Sequence, residues 1–141
     1  MLPPRHYERL AKLLLRLLGE TLNPAVASSA ASSLGITYGE ETAAILAAEC
    51  GQSQQRLSPQ AVVGWMDDAG YSVALSEGDD GAIVLQVQNC VYRELSQKYS
   101  HIVCSFDCGM VCGMLGADPA KHTQTQSLSA GDEFCRHEFR L

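Results

Sequence analysis

The 141-residue chain predicts an α+β fold: N-terminal helices packed with a four-stranded antiparallel sheet made of two hairpins separated by helices. Three features carry this. Apolar residues recur at three- and four-residue steps through the N-terminal half, two later stretches alternate across turn-forming loops, and an apolar run of helical spacing lies between those stretches. A chain of this length holds one domain with its own core, so residues 1–141 are expected to form a single unit. Within it, 1–20 reads as a connector or dimerisation helix, 21–70 as a helical part, and 71–141 as a cysteine-containing α+β part.

"PPRHYERLAKLLLRLLGE" opens on prolines suited to a first helical turn and places Tyr7, Leu10, Leu14, Leu17 and Leu18 on one face, with Arg9, Lys12 and Arg16 off it, ending near Gly19. Asn23-Pro24 signals the cap of a second helix through the small residues of "AVASSAASSLG". "GEETAAILAAECG" reads as a third helix or as its continuation past Gly35 and Gly39, and small side chains there imply close helix packing. Ser58-Pro59 begins a short helix that ends at Gly70. "YSVALSE" and "AIVLQVQN" flank "GDDG" as a first hairpin, "CVYRELSQKY" and 100–115 read as helices stopped by Gly116 and Pro119, and "KHTQTQSLS" and "EFCRHEFRL" flank "AGD" as a second hairpin.

With 46% apolar and 18% charged residues the chain belongs with globular rather than disordered proteins. Its formal charge of −6, without any basic cluster, speaks against direct nucleic-acid binding. Runs such as "LAKLLLRLLG" are broken by Lys12 and Arg16 and fall short of the roughly 20 residues that span a bilayer, so no membrane segment is expected. The start lacks the features of a secretory signal, and a cytoplasmic location is expected. In a reducing compartment, six cysteines suggest metal ligation, redox chemistry or core packing rather than disulfides.

"HIVCSFDCGMVCGM" puts Cys104, Cys108 and Cys112 one helical turn apart on one face, where adjacent pairs can share a metal but all three hardly can. Gly109 and Gly113 beside them suggest a face pressed against a neighbour, and burial habit favours a core role for Cys108 and Cys112. Cys90, Cys104 and Cys135 instead sit on three separate elements, which can converge as thiolate ligands. There is no CxxC pair, which excludes a zinc ribbon or a ferredoxin loop as template. His101, His122, Asp132, Glu133 and Glu138 read as solvated rather than ligating, and Cys50 as packing. Cys104 and His101 lie one turn apart but lack a third orienting group and an oxyanion motif, so an enzyme is not expected.

Three stretches carry a resemblance: "LPPRHYERLAKLLLRLL", "VLQVQNCVYRELSQKYSHIVCSFDCGMVCGMLG" and "LSAGDEFCRHEF". Together they resemble the C-terminal effector half of winged-helix transcriptional regulators related to the ArsR and DeoR groups, which include the SufR-type iron–sulfur repressors. The resemblance is weak over 20–80, and Val91 stands where the family usually has proline. The winged helix is not in the sequence, so the resemblance implies an excised domain or a free-standing relative. It also implies that Cys90, Cys104 and Cys135 are ligands of an iron–sulfur cluster, with Cys108, Cys112, His122 and solvent open as the fourth. The same layout is similar to 4-vinyl-reductase-type sensor domains, some of which hold zinc beside a small-ligand pocket.

The expected function is that of a sensory or regulatory domain whose metal site or ligand pocket biases a homodimer. The expected cofactor is an iron–sulfur cluster or zinc, and the apolar face around Met110 and Met114 would wall any small-molecule pocket. A metal-free small-molecule binding module and a structural dimerisation domain are the alternatives.

Overall fold

The first helix, α1 (Tyr7–Thr21), is amphipathic as its sequence requires, yet none of its residues is buried. Ala11 and Leu15 alone are half-covered, Leu15 packing on Ala27, Ala31 and Ile102, while Leu10, Leu13, Leu14, Leu17 and Leu18 face outward. The computed structural model describes residues 5–51 and 56–141. The prolines expected to open α1, Pro3 and Pro4, lie outside the described residues.

The second helix, α2 (Pro24–Glu49), is one continuous element, so the stretch after Gly39 is a continuation and not a third helix. Asn23 caps it by accepting a hydrogen bond from the Ala25 amide at 2.9 Å, with Pro24 in the first turn. Its buried residues are Ala27, Ala31, Gly35, Gly39, Ala43 and Ala47, an unbroken stripe of small residues at every fourth position. Against this stripe lies α5 (Ser100–Leu115). A Cβ on Gly35 would land on the carbonyl oxygen of Phe106, and one on Gly39 on that of Met110. Reciprocally, Gly109 is pressed on the Ser32 carbonyl and Gly113 on that of Ile36. The paired positions rise together along both helices, which therefore run parallel. Two glycines four apart on each partner let the backbones meet with no side chain between them. Ser28 and Ser105 extend the seam with a hydrogen bond of 2.7 Å between hydroxyls.

The short helix α3 (Pro59–Asp68) starts on the Ser58 cap and buries Val62 and Met66. β1 (Val73–Glu77) and β2 (Ile83–Val87) form the first hairpin across "GDDG", where Asp80 and Gly81 both take positive φ. Helix α4 is shorter than its sequence suggests, Arg93–Lys98, because residues 88–92 leave the sheet as an irregular segment carrying Cys90. α5 ends at Gly116, whose φ of 68° is the left-handed cap expected there. β3 (His122–Gln126) and β4 (Cys135–Phe139) form the second hairpin.

The sheet is antiparallel in the order β1-β2-β4-β3, so β2 and β4 join the hairpins and the cysteine-bearing β4 is central. Residues opposite one another share a face. Leu75, Leu85, His137 and Gln124 thus form one row, and Ile83, Phe139 and His122 another. This face packs against α3 and α5, enclosing Leu85, Val87, Phe139, Val62, Met66, Val111, Cys112 and Leu115. α5 is therefore the middle layer, with α2 on one side and the sheet on the other, and it is apolar nearly all round for that reason.

Gly109→Ala is expected to lower stability by about 1–3 kcal/mol, because overpacking against a fixed backbone outweighs the gain in helix propensity. Gly64→Ala, at an α3 position where a Cβ meets nothing, should raise it by roughly 0.5–1 kcal/mol. Denaturant unfolding of the two variants checks the opposite signs.

Candidate functional site

A helix-covered sheet face should be apolar from edge to edge, and here only half of it is. On β1 and β2 the inner residues are Val73, Leu75, Ile83, Leu85 and Val87; on β4 and β3 they include Cys135, His137, His122 and Gln124. Burying polar groups under a helix costs free energy unless they gain partners. On β3, Gln126 also carries a buried side-chain oxygen with no partner among the described residues.

Facing this polar half is the cysteine side of α5. Cys90, Cys104, Cys108 and Cys135 all line one cavity of about 40 Å3, together with Asp107, His137, Ser96 and Ser129. Met66, Leu85, Val87, Val111 and Phe139 make up much of its apolar wall. That volume exceeds the roughly 10–15 Å3 a single water needs, so open space lies between the thiols. The three thiols on separate elements each have a hydrogen-bonding group at hand. Cys90 Sγ lies 3.6 Å from the Ser96 hydroxyl, and Cys104 Sγ 3.9 Å from that of Ser129. The Leu128 amide donates to Cys135 Sγ at 3.2 Å. Ser129 and Leu128 belong to a single 3-10 turn, Leu128–Ala130, between β3 and β4.

Among the described residues, one trio offers three ligand atoms all within 4.8 Å of one another: Cys108, His122 and His137, a group that can hold a metal ion. His122 Nε2 lies 2.8 Å from His137 Nδ1, and Cys108 Sγ lies 3.8 Å from the same nitrogen. The His122 ring also packs on Phe139, with centroids 4.7 Å apart.

Burial sets the electrostatics. It pushes the thiols of Cys104, Cys108 and Cys135 above their ordinary value and that of Cys112 up to about 11. Burial lowers His122, and lowers His137 to about 4 with help from neighbouring His122. Asp107 is raised to about 7 by burial, against the opposing hydrogen bond that the Tyr71 hydroxyl donates to it at 3.1 Å.

Of the expected site residues, Cys90, Cys104 and Cys135 share the cavity, and Cys108 joins them although its spacing suggested core. Cys112 is core, buried beside Leu115. His122 stands with Cys108 and His137. Met110 and Met114 are buried against the α2 glycines and do not line the cysteine cavity, where Met66 takes the role expected of them. Cys50 is exposed rather than packed, because it caps α2 beyond Ala47, the last residue of that helix to be covered. All six cysteines are free. Two further groups at the site, His137 and Asp107, belong to no ligand spacing in the sequence. The period-two pattern of "CRHEF" does mark His137 as sharing a face with Cys135 and Phe139, and a lone Asp inside an apolar helix marks Asp107.

No protein-family model and no curated protein matches this chain.

Two groups make opposite contributions to stability below neutrality. Asp107, with its pKa raised from 3.8 to about 7, contributes stability that is full below about pH 3.8 and is lost as pH rises toward 7. His137, lowered from 6.5 to about 4, contributes stability that is full above about pH 6.5 and is lost as pH falls toward 4. Asp107→Asn should therefore make stability climb more steeply between about pH 4 and 6.5 than in the natural chain. Denaturant midpoints across that range measure it.

Proposed function

We propose that this chain is a sensory or effector domain, not an enzyme, whose signal is an iron–sulfur cluster held by Cys90, Cys104 and Cys135. One observation carries the reading: these three thiols, from α5, β4 and the irregular segment after β2, line one cavity with an O–H or N–H group beside each sulfur. Once a thiol is ionised, the Ser96 and Ser129 hydroxyls can turn to donate to it as the Leu128 amide already does, and such bonds stabilise thiolate charge. The likeness of the surrounding segments to effector halves of winged-helix regulators supports the same three residues.

Geometry favours a cluster over a single zinc ion for this trio. Thiolates on one tetrahedral zinc lie about 3.8 Å apart, from a Zn–S length of about 2.3 Å. Cys90, Cys104 and Cys135 do not fall mutually within 4.8 Å, whereas a polynuclear group spans wider separations. When bound, the cluster supplies a redox-active centre whose potential depends on hydrogen bonding and burial. The chain's own part is to hold the thiolates, screen them from water with Met66, Leu85 and Val111, and leave a fourth position to an exchangeable ligand.

The responding element in this reading is a homodimer formed through α1. Its exposed leucines, Leu14 at 50% and Leu17 at 56% among them, run beside an apolar groove of about 490 Å3 lined by Leu14, Leu18, Ala27, Ala30, Leu34 and Ile102. A ridge and a groove of like composition on one chain are what a two-fold axis pairs, so the occupant is the same helix of a second copy. The setting is cytoplasmic, where free thiols stay reduced. Among the described residues no helix is long and apolar enough to cross a membrane.

Anaerobic reconstitution with iron and sulfide should give a visible absorption that Cys104→Ser abolishes and Cys112→Ala keeps. A spectrum untouched by Cys90→Ser, Cys104→Ser and Cys135→Ser alike refutes the assignment. Leu14→Asp should convert the dimer to monomer in sedimentation at micromolar concentration, with little change in the monomer's unfolding midpoint, since the side chain is half exposed.

A further inference from the structure

We infer that Cys108, His122 and His137 form a separate mononuclear site for a borderline-soft divalent cation of the zinc class. None of these is a ligand in the cluster reading, and the inference stands whether or not that reading does. Three elements supply the donors: α5 gives Cys108, the edge strand β3 gives His122, and the central strand β4 gives His137.

The first support is convergence on one atom. His137 Nδ1 has a single in-plane direction for a hydrogen bond, yet His122 Nε2 at 2.8 Å and Cys108 Sγ at 3.8 Å both crowd it. Only one can be satisfied at a time. A cation among the three replaces the shared protons and takes a lone pair from each. Around tetrahedral zinc a sulfur and a nitrogen lie about 3.5 Å apart and two nitrogens about 3.3 Å apart, from Zn–S of about 2.3 Å and Zn–N of about 2.0–2.1 Å. Seating the ion therefore changes the two contacts of His137 by only about half an ångström.

The second support is placement. His137 stands in the row that runs Leu75–Leu85, on the face α5 covers, where an aliphatic residue would simply extend the core. His122 sits beside Phe139 on that face. Two imidazoles and a thiol brought together on the covered face, rather than turned to solvent, are hard to account for by packing. Their chemistry excludes magnesium and calcium, which demand oxygen donors, and suits zinc or cobalt. Because Cys108 and His137 also line the 40 Å3 cavity, water from that side can complete the coordination.

The test is a titration of the reduced, metal-stripped full chain with cobalt(II) under anaerobic conditions. One cobalt per chain is expected, with tetrahedral ligand-field bands and a thiolate-to-cobalt charge-transfer band that zinc displaces. Cys108→Ser should remove the charge-transfer band, and His122→Ala and His137→Ala should each weaken binding by at least about tenfold. Cys104→Ser should leave the titration as it was. Unfolding midpoints without metal confirm that each variant is folded; if the central-strand His137→Ala is not, the edge-strand His122→Ala carries the same test. A natural chain without the charge-transfer band overturns the inference. So does a band that survives Cys108→Ser and His122→Ala but vanishes in Cys104→Ser. The cluster reading fails separately, in the iron reconstitution.

Discussion

Backbone-to-backbone contact between α2 and α5 is the constraint on which the remaining architecture rests. Gly35 and Gly39 meet the carbonyls of Phe106 and Met110, while Gly109 and Gly113 meet those of Ser32 and Ile36. A seam made of glycines has no rotamers with which to adjust, so it fixes both the rotation and the height of α5. That rotation decides which residues turn toward the sheet: Cys104 and Cys108 toward its polar half, Val111, Cys112 and Leu115 into the core. The cysteine cavity is a consequence of two glycine pairs on its far side.

The sheet meets this fixed helix with a divided face. Its first hairpin contributes aliphatic residues and closes the core in the ordinary way. Its second contributes Cys135, His137 and His122 and would be a poor core if nothing were to be bound there. Antiparallel pairing of β2 with β4 places the boundary in the middle of the sheet, away from solvent. Burial there consequently raises the thiols of Cys104, Cys108 and Cys135, lowers His137 to about 4 and raises Asp107 to about 7. A ligand that displaces protons from such a site binds more tightly as pH rises, because each thiol must be deprotonated to coordinate.

Much of this fold is legible in the sequence where local chemistry decides. Asn23-Pro24 and Ser58-Pro59 begin helices, Gly116 ends one, and "GDDG" turns a hairpin, because caps and turns depend on a few neighbouring residues. Whether α2 broke at Gly35 and Gly39 was undecidable locally, since glycine disfavours an isolated helix and only the partner backbone of α5 explains its presence. The site was legible as a set of cysteines on separate elements, but not as a geometry. Cys108 looked like core because its helix neighbours are core, and only the pairing of β3 with β4 reveals that two histidines stand opposite it. The Met110 and Met114 face misled for a similar reason: it is apolar because it meets α2, not because it awaits a ligand.

The same rigidity gives the sensory reading a physical route from site to surface. Ile102 and Phe106 are on the helix that carries Cys104 and Cys108, and they pack with Leu15 of α1 over Ala27 and Ala31. Were the thiolates to draw α5 toward the sheet, the glycine seam offers no compressible side chain in which to lose the movement. α2 would have to follow α5, or the seam would have to slip by a full small-residue step of four, and either motion would disturb the seat of Leu15 on Ala27, Ala31 and Ile102. α1, with no buried residue of its own, resists least. In a dimer joined through that helix, a sub-ångström change at the cysteines would become a change in how two copies of α1 meet, which is where a regulator needs its output.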